Sequence, residues 1–227
     1  MCRARRPPVL GAAPCRRDGG VDGDRAALRR RAVRAAAGVR ADRGSAARHR
    51  IGSRDGLRDD TGQAHGTWAE VFRAALDEVL AELTWLDGDE RRLADSTAAR
   101  IEHEAPALLS TVHQPRLVHR DLHPGNFLVE GKATVLLDFE MVREWDAAYD
   151  FIKINSSLLD GAPEEAAAFH AGYAEHVATD DAFAARVRLY QGLYGLLSAA
   201  GFHSGNGRHR HWASRLRRWL AAEQDGL

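Results

Sequence analysis

The placement of aromatic residues limits where this chain can build a core. Residues 1–60 contain no Phe, Tyr or Trp, so all 16 aromatic residues lie in the remainder. The apolar residues of that segment, such as Val9, Val21, Leu28, Val33 and Ile51, stand singly among Arg, Ala, Gly and Asp. They cannot bury enough surface to offset the entropy of ordering the chain. The sequence therefore predicts a mostly disordered Arg-rich segment, 1–60, or one read from another start or frame. One exception is 24–39, where Asp24 caps an Ala/Arg helix ended by Gly38. The segment carries 16 Arg and no Lys against 7 Asp, an excess of +9 that residues 61–227 balance with −9. An Arg-rich arm can neutralise phosphates, but no aromatic is interleaved for base stacking, so nucleic acid is not the expected partner. Cys2 and Cys15 both lie in this segment, leaving no disulfide framework for the rest. No stretch is apolar and long enough to span a bilayer, and Pro14 interrupts the short apolar run after Arg6. A cytoplasmic protein is the expectation.

At Thr67 the pattern changes. Trp68, Val71, Phe72, Leu76, Val79, Leu80 and Leu83 recur at three- and four-residue steps, which predicts a helix capped by Thr67 and ended near Asp87-Gly88. A second helix over 89–110 rests on Leu93, Thr97, Ile101 and Leu108 and is interrupted late by Pro106. FLVE, the pair Gly131-Lys132 and ATVLLDFE read as a hairpin. Helical spacing then returns over 148–159, 163–177, 181–199 and 210–222. The expected product is one α+β domain over 67–225, mainly helical with a central β-hairpin.

Between the second helix and the hairpin lies VHRDLHPGNFLV, residues 118–129. With a turn at 131–132, paired residue numbers sum to 263 or 264, which places Asn126 opposite Asp138. Opposed residues stand close enough for an amide oxygen and a carboxylate to share one cation. An all-oxygen pair suits Mg²⁺, which takes its other ligands from water and phosphates. Asp121 is then free to accept the proton of an attacking hydroxyl, and His119 to brace the loop through its backbone. The set His119-x-Asp121-x-His123 has a second reading, as a transition-metal site of a hydrolase.

The run H119-R-D121-L-H-P-G-N126 followed by D138-F-E resembles the catalytic and metal loops of the aminoglycoside phosphotransferase and choline kinase-like family, small-molecule kinases related in fold to protein kinases. The resemblance implies a protein-kinase-like C-terminal lobe over about 67–225, with ATP as phosphate donor. It implies Asp121 as catalytic base and Asn126 and Asp138 as Mg²⁺ ligands. It further implies that Asp150, in W145-D146-A-A-Y-D150, braces the catalytic loop. Trp145 stands where that family usually has Gly. The acceptor is expected to be a small molecule, and the acidic balance of 61–227 leans towards a cationic one such as an aminoglycoside.

A kinase of this kind also needs an N-terminal lobe with a phosphate-covering loop, a strand lysine and a helix glutamate. The two lysines, Lys132 and Lys153, both lie downstream of the catalytic loop. The N-terminal lobe is thus expected to be absent or disordered, and the chain to be a truncated phosphotransferase with weak or no activity. The alternative is a non-catalytic, kinase-like binding module.

Overall fold

A computed structural model describes residues 56–130, 133–156 and 162–222. The predicted helix over 24–39, and all of 1–55, lie outside the described residues.

Order is present before Thr67. Strands β1 (Leu57–Arg58) and β2 (Ala64–His65) pair as an antiparallel hairpin, so residues 56–60 depart from the expected disorder of 1–60. The cause is one buried carboxylate. Asp59 Oδ1 accepts from the Thr61 N–H, the Thr61 hydroxyl and the Gln63 N–H at 2.9, 2.7 and 2.9 Å, and Oδ2 pairs with His65 Nε2 at 2.8 Å. An Asp that binds the backbone two and four residues on builds the turn itself. Its pKa falls to about 2, chiefly through the hydrogen bond from His65, against the opposing effect of burial.

Helix α1 (Trp68–Glu82) begins with a reciprocal capping box. Thr67 Oγ1 accepts from the Glu70 N–H, while Glu70 Oε2 accepts from the N–H groups of Gly66 and Thr67. Such a cap is worth about 0.5–2 kcal/mol. After a single turn at Leu83–Trp85 comes α2 (Gly88–Leu109), with Pro106 in its last turn, and both helices match the predicted spans closely. Strand β3 (Arg116–Val118) leads into a short turn at Pro124–Asn126 and the hairpin β4 (Phe127–Glu130) and β5 (Ala133–Leu136).

Strand β6 (Arg143–Trp145) returns antiparallel to β3, pairing Arg116 with Trp145 and Val118 with Arg143. The segment 119–142 is thereby a loop closed at its neck. A turn at Ala147–Asp150 runs into α3 (Phe151–Ile154), which precedes α4 (Pro163–Ala174), α5 (Phe183–His203) and α6 (Trp212–Ala221). The predicted helix over 148–159 is described only as far as 156.

Helix α5 is the axis of the core. Leu189, Tyr190, Leu193, Leu196 and Ala199 are fully buried among α1, α2 and α6. Each fully buried Leu or Phe contributes about 1.5–3 kcal/mol, and Phe72, Leu76, Ile101 and Leu216 belong to the same cluster. The periodic helices pack, and the 119–142 segment is carried on their edge.

Candidate active site

The loop after β3 is anchored from behind by one carboxylate. Asp150 Oδ2 accepts from the His119 N–H at 3.0 Å and Oδ1 from the Arg120 N–H at 2.6 Å. Arg120 has φ 67°, a left-handed conformation that a non-glycine residue adopts at a cost of about 1–3 kcal/mol. Burial pushes the Asp150 carboxyl above its usual range, more than the two N–H bonds pull it back.

His119 is fixed at both ring nitrogens. Its Nε2 donates to the Leu137 carbonyl at 2.8 Å and Nδ1 accepts from the Asp121 N–H at 3.3 Å, which settles its tautomer. A histidine so engaged has no lone pair left for a metal. Among the described residues no group of three or more His, Cys, Asp or Glu could hold a metal ion. The hydrolase reading of His119, Asp121 and His123 therefore lacks its first ligand. His123 instead folds over Gly125, accepting from its N–H at 3.0 Å, where a Cβ at 125 would come within 2.8 Å of the imidazole.

Asp121 faces a partner that motif spacing does not reveal. Lys153 Nζ, from α3, lies 2.5 Å from Asp121 Oδ1, with His123 Nε2 at 3.7 Å. Burial raises the Asp121 carboxyl, but the hydrogen bond and charge of Lys153 outweigh it, and the net direction is downward. Asp121 is thus held as a carboxylate. Its backbone carbonyl accepts from Asn126 Nδ2 at 2.9 Å, which leaves Oδ1 as the end of that amide able to bind a cation.

The register corrects one expectation. Phe127 pairs with Leu136 and the Leu137 N–H donates to the Asn126 carbonyl at 2.9 Å, so Asn126 stands level with Leu137 rather than Asp138. Asp138 follows at φ 65°, where the strand ends, and is exposed. The amide oxygen of Asn126 and the carboxylate of Asp138 still come from adjacent positions. Two hard oxygen donors and no thiolate or available imidazole fit Mg²⁺ completed by phosphates and water.

Arg120 ties this loop to the first hairpin. Its guanidinium makes a two-pronged pair with Asp60, Nη1 to Oδ1 at 2.6 Å and Nη2 to Oδ2 at 2.7 Å, and its Cζ lies 3.7 Å from the Trp145 ring centre. Trp145 is buried and its indole N–H donates to the Arg58 carbonyl at 2.9 Å. The large ring in place of a small residue is the shelf on which Arg120 rests. Next to it, Asp146 accepts from Arg186 Nε at 2.7 Å and from the Tyr190 hydroxyl at 2.6 Å, while Tyr190 accepts from the Trp68 indole at 2.7 Å. The buried carboxylate of Asp146 and the Tyr190 hydroxyl are thus both partnered.

The sequence profile of the Phosphotransferase enzyme family matches residues 9–188, which covers more than half of the chain and extends into the Arg-rich segment. None of the curated proteins matches. Among solved structures, a macrolide 2'-phosphotransferase type I is similar at a TM-score of 0.48 and 16% identity, over 85% of this chain and 58% of that one. A spectinomycin phosphotransferase, APH(9)-Ia, bound to AMP is similar at 0.35 and 18%, over 66% of this chain and 51% of that one. The same enzyme with ADP and spectinomycin is similar at 0.34 and 18%, over 70% and 51%. The chain spans about half the length of these structures. No helix among the described residues is long and apolar enough to cross a membrane. Since the profile spans most of the chain, with the 119–126 loop, the β4–β5 hairpin and Asp150 inside its bounds, the chain belongs to the Phosphotransferase enzyme family.

Proposed function

We propose that this protein transfers the γ-phosphate of ATP or another nucleoside triphosphate to the hydroxyl of a small molecule, with low activity as this chain. The observation that carries the reading is the pair of hydrogen bonds that Asp150 accepts from the N–H groups of His119 and Arg120, which fix the loop carrying Asp121, whose carbonyl in turn accepts from Asn126. In the reaction the acceptor oxygen forms a bond to the γ-phosphorus while the bond from phosphorus to the β-phosphate oxygen breaks. Nucleoside diphosphate leaves, and the hydroxyl proton passes to the Asp121 carboxylate. Asn126 and Asp138 would hold Mg²⁺, which neutralises phosphate charge when bound. Leu128 and Val135, cross-strand partners on the open face of the hairpin, give apolar surface for a nucleotide base.

Two facts support weak transfer. The two lysines of the chain are Lys132 and Lys153, and Lys153 is already engaged with the proposed base. Proton acceptance contributes about 10²–10⁴-fold, but positioning and neutralising the γ-phosphate dominate this chemistry. A cytoplasmic location fits such use of ATP.

The test is phosphate release and transfer from Mg-ATP in the presence of aminoglycosides, macrolides and other hydroxyl compounds. Slow transfer abolished by Asp121→Asn, with nucleotide affinity retained in that variant and lost in Asp138→Ala, is the expected result. Transfer unchanged by Asp121→Asn would remove the assigned base. Equal nucleotide affinity in wild type and Asp138→Ala would remove the metal assignment. Mg-ATP binding through Asp138 with no transfer to any acceptor would favour the kinase-like binding module.

A further inference from the structure

A cavity lies outside the set Asp121, Asn126 and Asp138. It opens between the α3 turn, α4, α5 and α6, with a volume of about 450 Å³, within the usual range of small-molecule sites. Its charge is one-sided. Arg188 from α5 and Arg215 and Arg218 from α6 line it, and no Asp or Glu does so among the described residues. Helix α6 carries Arg215, Arg217 and Arg218 and no acidic residue at all.

Two of these arginines lie against aromatic rings. Arg215 Nη1 donates to Ser198 Oγ at 3.1 Å and its Cζ lies 5.2 Å from the Tyr194 ring centre. The Arg188 Cζ lies 5.5 Å from the centre of the Trp219 ring, whose indole N–H donates to the Arg188 carbonyl at 2.8 Å. Tyr194 and Trp219 both line the cavity and supply flat apolar surface beside the cations. Burial, and secondly the like charge of Arg100, make Arg188 easier to deprotonate than usual, against the opposing effect of Glu104. An anion in the cavity would reverse that penalty.

We propose that this cavity binds a small molecule carrying a carboxylate or phosphate next to an aromatic ring, the anion held by Arg188, Arg215 and Arg218 and the ring resting on Trp219 and Tyr194. Guanidinium groups match both oxyanions two bonds at a time, and they stack on aromatic faces. The site does not depend on phosphate transfer. Its wall is one helical turn from Lys153, the partner of Asp121, since the Ser156 hydroxyl donates to the Lys153 carbonyl at 3.1 Å.

The experiment is calorimetric titration of the full chain, without nucleotide or Mg²⁺, using phenyl phosphate, benzoate and benzylamine, which share a ring and differ in charge. At least one of the two anions should bind, and which one does identifies the oxyanion; benzylamine should not. Arg215→Gln and Arg218→Gln should each weaken binding at least about tenfold. Arg217→Gln, on the same helix but outside the cavity, and Asp138→Ala should leave it unchanged. Asp138→Ala separates this site from the phosphate chemistry of the loop. Arg218 is exposed, so its variant folds whatever the fate of Arg215→Gln. Absence of binding by both anions up to about 10 mM, equal binding of benzylamine, or equal affinity in Arg217→Gln and Arg218→Gln would overturn the proposal.

Discussion

Arg120 shows how one residue can fix the course of the whole 119–126 loop. Its N–H is held by Asp150, its guanidinium by Asp60 and the Trp145 ring, and its backbone is in the left-handed region. Because the pair with Asp60 is two-pronged and buried on the Arg120 side, it is worth more than an exposed ion pair. A double-mutant cycle on Arg120→Gln and Asp60→Asn, read by urea denaturation, should give a coupling of roughly 0.5–3 kcal/mol. Strict additivity would show the pair to be incidental. The sequence makes Asp121, Asn126, Asp138, His119 and Asp150 visible as candidates because their spacing in one short stretch carries the signal. It hides Lys153 and Asp60, whose partners are 32 and 60 positions away and are brought near only by the β3–β6 neck and the first hairpin.

At the scale of elements, legibility follows length. α1, α2 and α5 bury one face or all faces over 15, 22 and 21 residues, enough turns for a period to stand out. β1, β2, β3 and β6 have two or three residues each, too few to show alternation, and they form because Asp59 and the Trp145 indole supply contacts from outside the strand. The α5–α6 seam depends on a missing side chain. A Cβ at Gly192 would stand 2.6 Å from the Trp219 ring, a rigid neighbour pinned by its bond to the Arg188 carbonyl. Gly192→Ala should therefore destabilise the fold by about 1–3 kcal/mol even though alanine is the better helix former. Thermal or urea melts decide it, and a gain in stability would mean that the two helices slide freely.

For the molecule as a whole, the hydrophobic cluster and the 119–126 loop meet at the ring set of Trp68, Trp145, Tyr149 and Tyr190, with centres 4.9–6.0 Å apart. Trp145→Gly, which restores the residue usual in the resembled family, should cost about 3–5 kcal/mol by opening a cavity there. It should also loosen the first hairpin, seen as faster amide exchange of residues 57–65. Loss of stability without faster exchange in the hairpin would confine Trp145 to a packing role. The net balance of residues 61–227 is acidic, yet α6 and the cavity beside it are basic, because net charge is a sum and a binding surface is a local arrangement.

The contacts joining Arg58, Asp60, Arg120 and Trp145 also constrain the order in which such a chain can accumulate change. Trp145 lost first strands a buried guanidinium with half its support gone, a large penalty at a single step. Arg120 lost first leaves behind only Asp60, whose carboxylate is half exposed to water and hydrates readily. The permissive path to a glycine at 145 thus begins at 120, and the effect of a substitution here depends on its history.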